Sequence, residues 1–146
     1  MVMWKVCCQS IERSVAFYEV LGFKPANAPK VGAEWVGPLY GIPGGVPRVQ
    51  MMTRPDDPKA ASLELIEWAP NTPGVPGPNA LGYAMAAFRT NDIDADCAAL
   101  EAAGGRRVGE PVAVPGPERT MRMANLRDPD GFNIQLVQFV KNAAQG

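Results

Sequence analysis

The feature that most constrains the fold is an internal repeat in which matching residues lie 82 positions apart. A serine suited to cap a helix N-terminus stands at Ser10 and an aspartate at Asp92, and glycines typical of a helix C-terminus stand at Gly22 and Gly104. Three pairs of apolar residues fall between them at the same offset: Ile11 and Ile93, Val15 and Cys97, Tyr18 and Leu100. Chance similarity of two short helices is the competing interpretation, and it does not explain why cap, apolar face and terminator all agree.

Each copy of the repeat predicts a strand, a helix and three further strands. In the first copy a strand over 5–8 precedes the helix, and strands over 31–36, 48–53 and 62–68 follow it. In the second copy the corresponding strands are 81–90, 107–114, 119–127 and 132–139, the last two joined by a turn at Asp128-Pro129-Asp130-Gly131.

Two βαβββ modules, over 1–69 and 81–140, are therefore expected in an α+β chain. The stretch over 70–78 contains four prolines, which exclude a helix or a central strand, so a linker is expected over 70–80.

The closing strands of the two modules, 62–68 and 132–139, match at an offset of 71 instead of 82. The first module therefore carries about eleven extra residues. We place them at 37–47, GPLYGIPGGVP, because glycine and proline at this density favour a loop over the sheet.

Composition excludes several classes of function. The 146 residues, enough for one ordinary domain, contain no histidine, so a Ser-His-Asp triad, a Cys-His pair and a histidine-ligated zinc or iron site are absent. The 14 basic and 15 acidic residues give a net charge of −1 without a basic block. Binding to nucleic acid or to an anionic membrane is therefore not expected.

The three cysteines, Cys7, Cys8 and Cys97, indicate reduced thiols, because their number is odd and two of them are adjacent in a strand. Lys5 interrupts the short apolar run at the N-terminus, which excludes the core of a signal peptide, and no stretch reaches the ~18 apolar residues of a membrane span. We expect a soluble, cytoplasmic protein.

Four segments carry a family resemblance: IERSVAFYEVLGF, LELIEW, RTNDIDADCAALEAAGG and LRDPDGFNIQLVQF. They resemble the vicinal oxygen chelate superfamily, the glyoxalase, bleomycin-resistance and extradiol-dioxygenase group. The resemblance implies that the eight strands of two βαβββ modules form a cupped, mixed sheet around a small-molecule pocket. It also implies a homodimer, which would cover the open edges and apolar faces of such a sheet.

Metal-binding members of this superfamily take ligands from the first and fourth strand of each module. Those positions correspond here to Met3, Glu64, Met85 and Gln135. Two thioethers, one carboxylate and one amide suit hard divalent ions poorly, so we expect no metal and no cofactor.

Strand alternation predicts which side chains line the pocket. The same face carries Met3, Lys5 and Cys7; Met85, Ala87 and Arg89; Glu64, Ile66 and Trp68; and Gln135, Val137 and Phe139. The opposite face of the first strand, with Trp4, Val6 and Cys8, is expected to meet the helix. The result is an apolar, aromatic pocket with a few polar groups, as is usual for a small-molecule site.

Glu64 is the predicted acid-base residue, because a carboxylate among apolar neighbours suits proton transfer. The alternative is a structural carboxylate paired with Lys5 or Arg89. These two cations are predicted to hold an anionic substrate or a developing enolate, or else to reach solvent at the rim. Gln135 is expected to hydrogen bond to a ligand or to Glu64. Tyr40 is expected to close over a ligand or to pack locally.

Three functions are compatible with these residues. The first is a metal-independent isomerase or lyase acting on a small carbonyl or aromatic compound. The second is a non-catalytic protein that binds a small antibiotic or xenobiotic and confers resistance. The third is a metal-dependent glyoxalase-like or dioxygenase-like enzyme with atypical ligands.

Overall fold

Two similar runs of strands and helices follow one another along the chain. The computed structural model describes residues 3–40, 42–71, 74 and 84–142. The chain divides into two compact units, the first within residues 1–74 and the second within 75–146. The predicted linker over 70–80 and the beginning of the strand predicted over 81–90 lie largely outside the described residues, so the module boundaries stay a prediction.

The first unit forms one mixed sheet with two helices. Its elements are β1 (Met3–Cys8), α1 (Ile11–Val20), β2 (Lys24–Pro25), β3 (Lys30–Val31), α2 (Val36–Leu39), β4 (Arg48–Thr53) and β5 (Ser62–Glu67). The strand order is β1-β5-β4-β2, with β3 also paired to β4. The β1 and β5 strands are parallel, and the other pairs are antiparallel.

The second unit repeats this arrangement with one helix. Its elements are β6 (Met85–Arg89), α3 (Ile93–Ala102), β7 (Arg106–Arg107), β8 (Val112–Val114), β9 (Arg119–Arg127) and β10 (Asn133–Lys141). The order β6-β10-β9-β7, with β8 paired to β9, matches that of the first sheet. The α+β class is confirmed, and each sheet has five strands where four were expected.

Strand registers confirm the repeat residue by residue. Lys5 lies opposite Glu64 in the parallel pair of the first sheet, and Ala87 lies opposite Gln135 in that of the second. Ala87 is 82 positions after Lys5, and Gln135 is 71 positions after Glu64. The two offsets found in the sequence therefore connect positions that are structurally equivalent.

The predicted location of the eleven extra residues, 37–47, is partly wrong. The offset of 82 still relates β3 to β8. Between the next strands, β4 and β9, the offset falls to 74: Met51 faces Glu64 in the first sheet, and Asn125, 74 positions after Met51, faces Gln135 in the second. Eight extra residues thus lie between β3 and β4, a segment that we call the insert (residues 32–47). The remaining three lie in the connection between β4 and β5.

Two expected strands differ from those observed. The strand predicted over 31–36 ends at Val31, and the chain turns into α2 at Val36. The Gly32 N–H donates to the Pro47 carbonyl 2.7 Å away, and this hydrogen bond joins the two ends of the insert. The strand predicted over 107–114 is split into β7 and β8, with Pro111, which lacks an N–H, in the gap.

Both long helices begin and end where the repeat predicts. The Ser10 hydroxyl accepts the Arg13 N–H at 3.3 Å, and the Asp92 carboxylate accepts the Ala95 N–H at 3.0 Å. Their apolar faces lie on the sheets, and the fully buried side chains include Ile11, Phe17, Tyr18, Ile93, Cys97 and Leu100. Among the described residues, no helix has the length and apolar character needed to cross a membrane.

Candidate functional site

The central contact of the first unit is an ion pair between Lys5 and Glu64. The Lys5 Nζ atom lies 2.5 Å from Glu64 Oε2, and the two residues are register partners on the parallel strands β1 and β5. The Glu64 side chain is 18% exposed and that of Lys5 is 49% exposed. Of the two cations expected to pair with Glu64, the structure thus selects Lys5.

Strand alternation places this pair on the sheet face away from α1. Val6 and Cys8 are buried, whereas Lys5 and Cys7 are exposed, as the alternation predicts. Trp4 differs from the expectation, because its side chain is half-exposed although it shares the parity of Val6.

The insert brings an aromatic pair to the same unit. The rings of Tyr40 and Trp68 meet edge to face, with 5.6 Å between their centroids. Tyr40 directly follows α2, and its N–H donates to the carbonyls of Val36 and Gly37, which fixes its backbone. Tyr40 thus packs against Trp68, and its closing over a ligand stays a prediction.

Tyr40 also connects the aromatic pair with the ion pair. The hydrogen bond to Glu64 is the main cause that raises the pKa of Lys5 above its ordinary value, and partial burial opposes it. Tyr40 also raises the pKa of Lys5. Lys5 is therefore an ammonium ion paired with the Glu64 carboxylate.

The candidate residues of the second unit make different contacts. The Arg89 guanidinium lies over the Phe139 ring, 5.6 Å from its centroid. The Gln135 amide donates to Asn125 Oδ1 at 3.0 Å. Met3 in β1 and Met85 in β6 are each partly buried.

Asn125 was missed in the sequence analysis although a signal for it exists. The Asp128 carboxylate accepts the N–H groups of Asp130 and Phe132 and so fixes the tight turn between β9 and β10. Counting outward from this turn pairs residue 125 with residue 135, which is the observed register.

Comparison with family models matches residues 2–136 to the glyoxalase/bleomycin resistance protein/dioxygenase superfamily. The chain belongs to this superfamily. A search of curated proteins by sequence gave no match.

Solved structures of the glyoxalase superfamily show the same fold. A glyoxalase family protein from Bacillus cereus is 26% identical, with a TM-score of 0.79 over 96% of this chain and 93% of that one. A variant of glyoxalase I from Zea mays is 30% identical, with a TM-score of 0.68, and this chain covers only 45% of its length. A glyoxalase/bleomycin resistance protein/dioxygenase family enzyme from Burkholderia phytofirmans, 14% identical with a TM-score of 0.61, supports the fold alone.

The residues that the resemblance assigns to the superfamily's metal positions do not fit a divalent ion. Glu64 already binds the Lys5 ammonium, and Met3 supplies only a thioether to the first unit. In the second unit Met85 is again a thioether, and the Gln135 amide is engaged with Asn125. Hard cations prefer oxygen and imidazole ligands, which this set largely lacks. Within the described part of the chain, no group of three His, Cys, Asp or Glu side chains is placed to hold a metal.

Proposed function

We propose that this superfamily member is a metal-independent isomerase or lyase that transfers a proton on a small carbonyl or aromatic compound, with Glu64 as the acid-base residue. The observation that carries the proposal is the Lys5–Glu64 pair. It joins a partly shielded carboxylate to an ammonium ion.

The proposed step needs only these groups. The Glu64 carboxylate takes a proton from the carbon next to the substrate carbonyl, and the electron pair of that C–H bond moves toward the carbonyl oxygen. Lys5 donates a hydrogen bond to the oxygen as negative charge develops on it. In an isomerisation of a β,γ-unsaturated carbonyl compound, Glu64 returns the proton to the γ carbon, the electron pair returns from the oxygen, and the double bond moves into conjugation with the carbonyl group.

The remaining site residues of the first unit are proposed to bind the substrate: Trp68 and Tyr40 supply an aromatic wall, and Met3 is a flexible apolar member. In the second unit, Phe139, Arg89, Gln135 and Met85 are proposed to line a ligand site of their own.

A homodimer is part of the proposal. Trp35 and Leu39 of the insert are 67% and 69% exposed, and apolar groups of this size often mark an interface. Light scattering at micromolar concentration should give twice the chain mass, and a monomeric mass would contradict the dimer.

The test follows proton exchange. A panel of small carbonyl and aromatic compounds is incubated with the chelator-treated protein in D₂O, and loss of C–H signals is measured by proton NMR. The active compound is then compared for the parent protein, Glu64→Gln and the exposed control Glu34→Gln. Loss of an acid-base residue should lower the turnover rate about 10²–10⁴-fold while the control stays unchanged.

Three results would count against this function. Equal turnover by Glu64→Gln would remove the residue from the chemistry. Turnover that depends on added metal would contradict metal independence. Compounds that bind and are recovered unchanged would favour the alternative of a binding protein.

A further inference from the structure

The repeat reveals an asymmetry between two equivalent aromatic residues. Phe139 follows Trp68 by 71 positions, so the two are equivalent in the repeat; Trp68 directly follows β5, and Phe139 lies within the longer β10. Trp68 is 9% exposed, whereas Phe139 is 45% exposed.

The insert explains why Trp68 is covered. Tyr40 lies edge to face against its ring, and a Cβ placed on Gly45 would be 3.0 Å from Trp68 Cζ3, so the backbone of the insert itself packs on the indole. The second unit lacks the eight extra residues, and only the short turn over 115–118 joins β8 to β9.

An open groove of about 400 Å³ lies between this turn and Phe139, a volume within the range of small-molecule sites. Its floor is a row of apolar side chains on three adjacent strands, Val114, Met121 and Phe139, which face one another in the sheet register. The turn over 115–118 forms one wall.

The groove is built before any ligand arrives. The Asn142 amide donates to the carbonyls of Gly116 and Pro117 at 2.9 and 3.4 Å, and the Asn142 N–H donates to the Glu118 carbonyl at 3.0 Å. A Cβ on Gly116 would lie 2.6 Å from the Arg119 carbonyl oxygen, so the turn needs glycine there. A wall fixed in this way loses little conformational freedom on binding.

The charges of the groove define its ligand. Its charged lining residues are Glu118 and Arg119, which carry opposite charges, while the remaining lining is apolar; the nearby Arg89 guanidinium is already engaged with the Phe139 ring. Such a lining is complementary to a compound without net charge.

We infer that this groove binds an uncharged, flat aromatic compound, which packs against Phe139 as Tyr40 packs against Trp68. Phe139 is also among the ligand-binding residues proposed above, but none of the groove's lining residues takes part in the proton transfer proposed for Glu64, so loss of probe binding and loss of turnover can be told apart.

The experiment is a fluorescence titration of the full chain with N-phenyl-1-naphthylamine, an uncharged aromatic probe. Saturable binding of one probe per chain is expected. Phe139→Ser and Val114→Ser should each weaken binding about tenfold, since each removes part of the apolar floor. Val140→Ser is the matched control. Val140 is 40% exposed and follows Phe139 in the strand, so its side chain points to the other face of the sheet. The affinity of this variant for the probe should equal that of the parent protein.

Four results would overturn the inference. The first is absence of saturable binding, and the second is binding that both floor substitutions leave unchanged in folded protein. The third is binding of 8-anilinonaphthalene-1-sulfonate, the same probe with a sulfonate, more than about tenfold tighter, which would show selection for an anion. The fourth is self-association, measured by analytical ultracentrifugation, that Phe139→Ser abolishes, which would show that a second copy occupies the groove.

Discussion

The Lys5 ammonium lies 2.5 Å from the Glu64 carboxylate because β1 and β5, the first and last strands of one unit, are parallel neighbours in register. Neither residue is close to the other in the sequence, and no connecting turn fixes their pairing. The contact that carries the proposed chemistry is therefore a product of the sheet topology.

A double-mutant cycle should measure this contact. We expect a coupling free energy of about 0.5 kcal/mol between Lys5→Met and Glu64→Gln in urea denaturation, because solvent screens a pair of which one member is half-exposed. A coupling near zero would mean that the pair is not formed in solution.

The same pair predicts a dependence of stability on pH. Glu64 raises the pKa of Lys5 in the folded state, so the contribution of Lys5 is complete below its ordinary value of 10.5 and is lost as the pH rises through the raised pKa. The difference in unfolding free energy between the parent and Lys5→Met should therefore be constant from pH 7 to about pH 10 and smaller above it. An increase with pH would contradict this sign.

The insert should depend on the absence of a side chain at Gly37. A Cβ there would overlap the carbonyl oxygens of Ile42 and Gly45, which are backbone atoms without an alternative rotamer. Gly37→Ala should lower the unfolding free energy by about 1–3 kcal/mol and uncover Trp68.

Trp68 itself reports this change once Trp4 and Trp35 are replaced by phenylalanine, since the chain contains three tryptophans. Quenching of its fluorescence by acrylamide should increase in Gly37→Ala. Gly109→Ala is the control, because nothing lies within 4 Å of a Cβ at that position. An equal increase in quenching for both variants would show that the insert does not determine the burial of Trp68.

The sequence was informative where the determinants are local. Both long helices could be predicted because cap, apolar face and terminator lie within thirteen consecutive residues of each copy, from Ser10 to Gly22 and from Asp92 to Gly104. The turn at Asp128 likewise has its own signal in the side chain that stabilises it.

The distribution of the extra residues could not be predicted in the same way. The matching helices and closing strands give only the total of eleven, whereas their separation into eight and three depends on the register of β4 against β5. Nor does any local pattern bring Tyr40 to Trp68, because that contact requires the folded insert. Which of the two cations, Lys5 or Arg89, forms the ion pair with Glu64 likewise depends on strand pairing.

The three thiols should differ in reactivity. Cys7 is exposed, whereas Cys8 and Cys97 are buried, and burial raises the pKa of Cys97. Because the thiolate is the reacting form, iodoacetamide at pH 8 should modify one thiol per chain at least about tenfold faster than the others. Mass spectrometry should locate it at Cys7, and Cys7→Ser should remove the fast phase. A fast phase that survives this substitution would contradict the burial pattern of β1.

The two helix N-caps test whether the two copies of the repeat are equivalent, because each cap contributes to the free energy of unfolding. Ser10 and Asp92 perform the same task, since each side chain accepts the N–H of the residue three positions later. Ser10→Ala and Asp92→Ala should each lower the unfolding free energy by about 1 kcal/mol in urea denaturation, because one N–H per helix loses its acceptor. Asp92→Asn is the control, because asparagine caps as well as aspartate, and its stability should stay close to that of the parent. If Asp92→Asn lost as much stability as Asp92→Ala, the negative charge at the start of α3 would be the important property, and the equivalence with Ser10, which carries no charge, would fail.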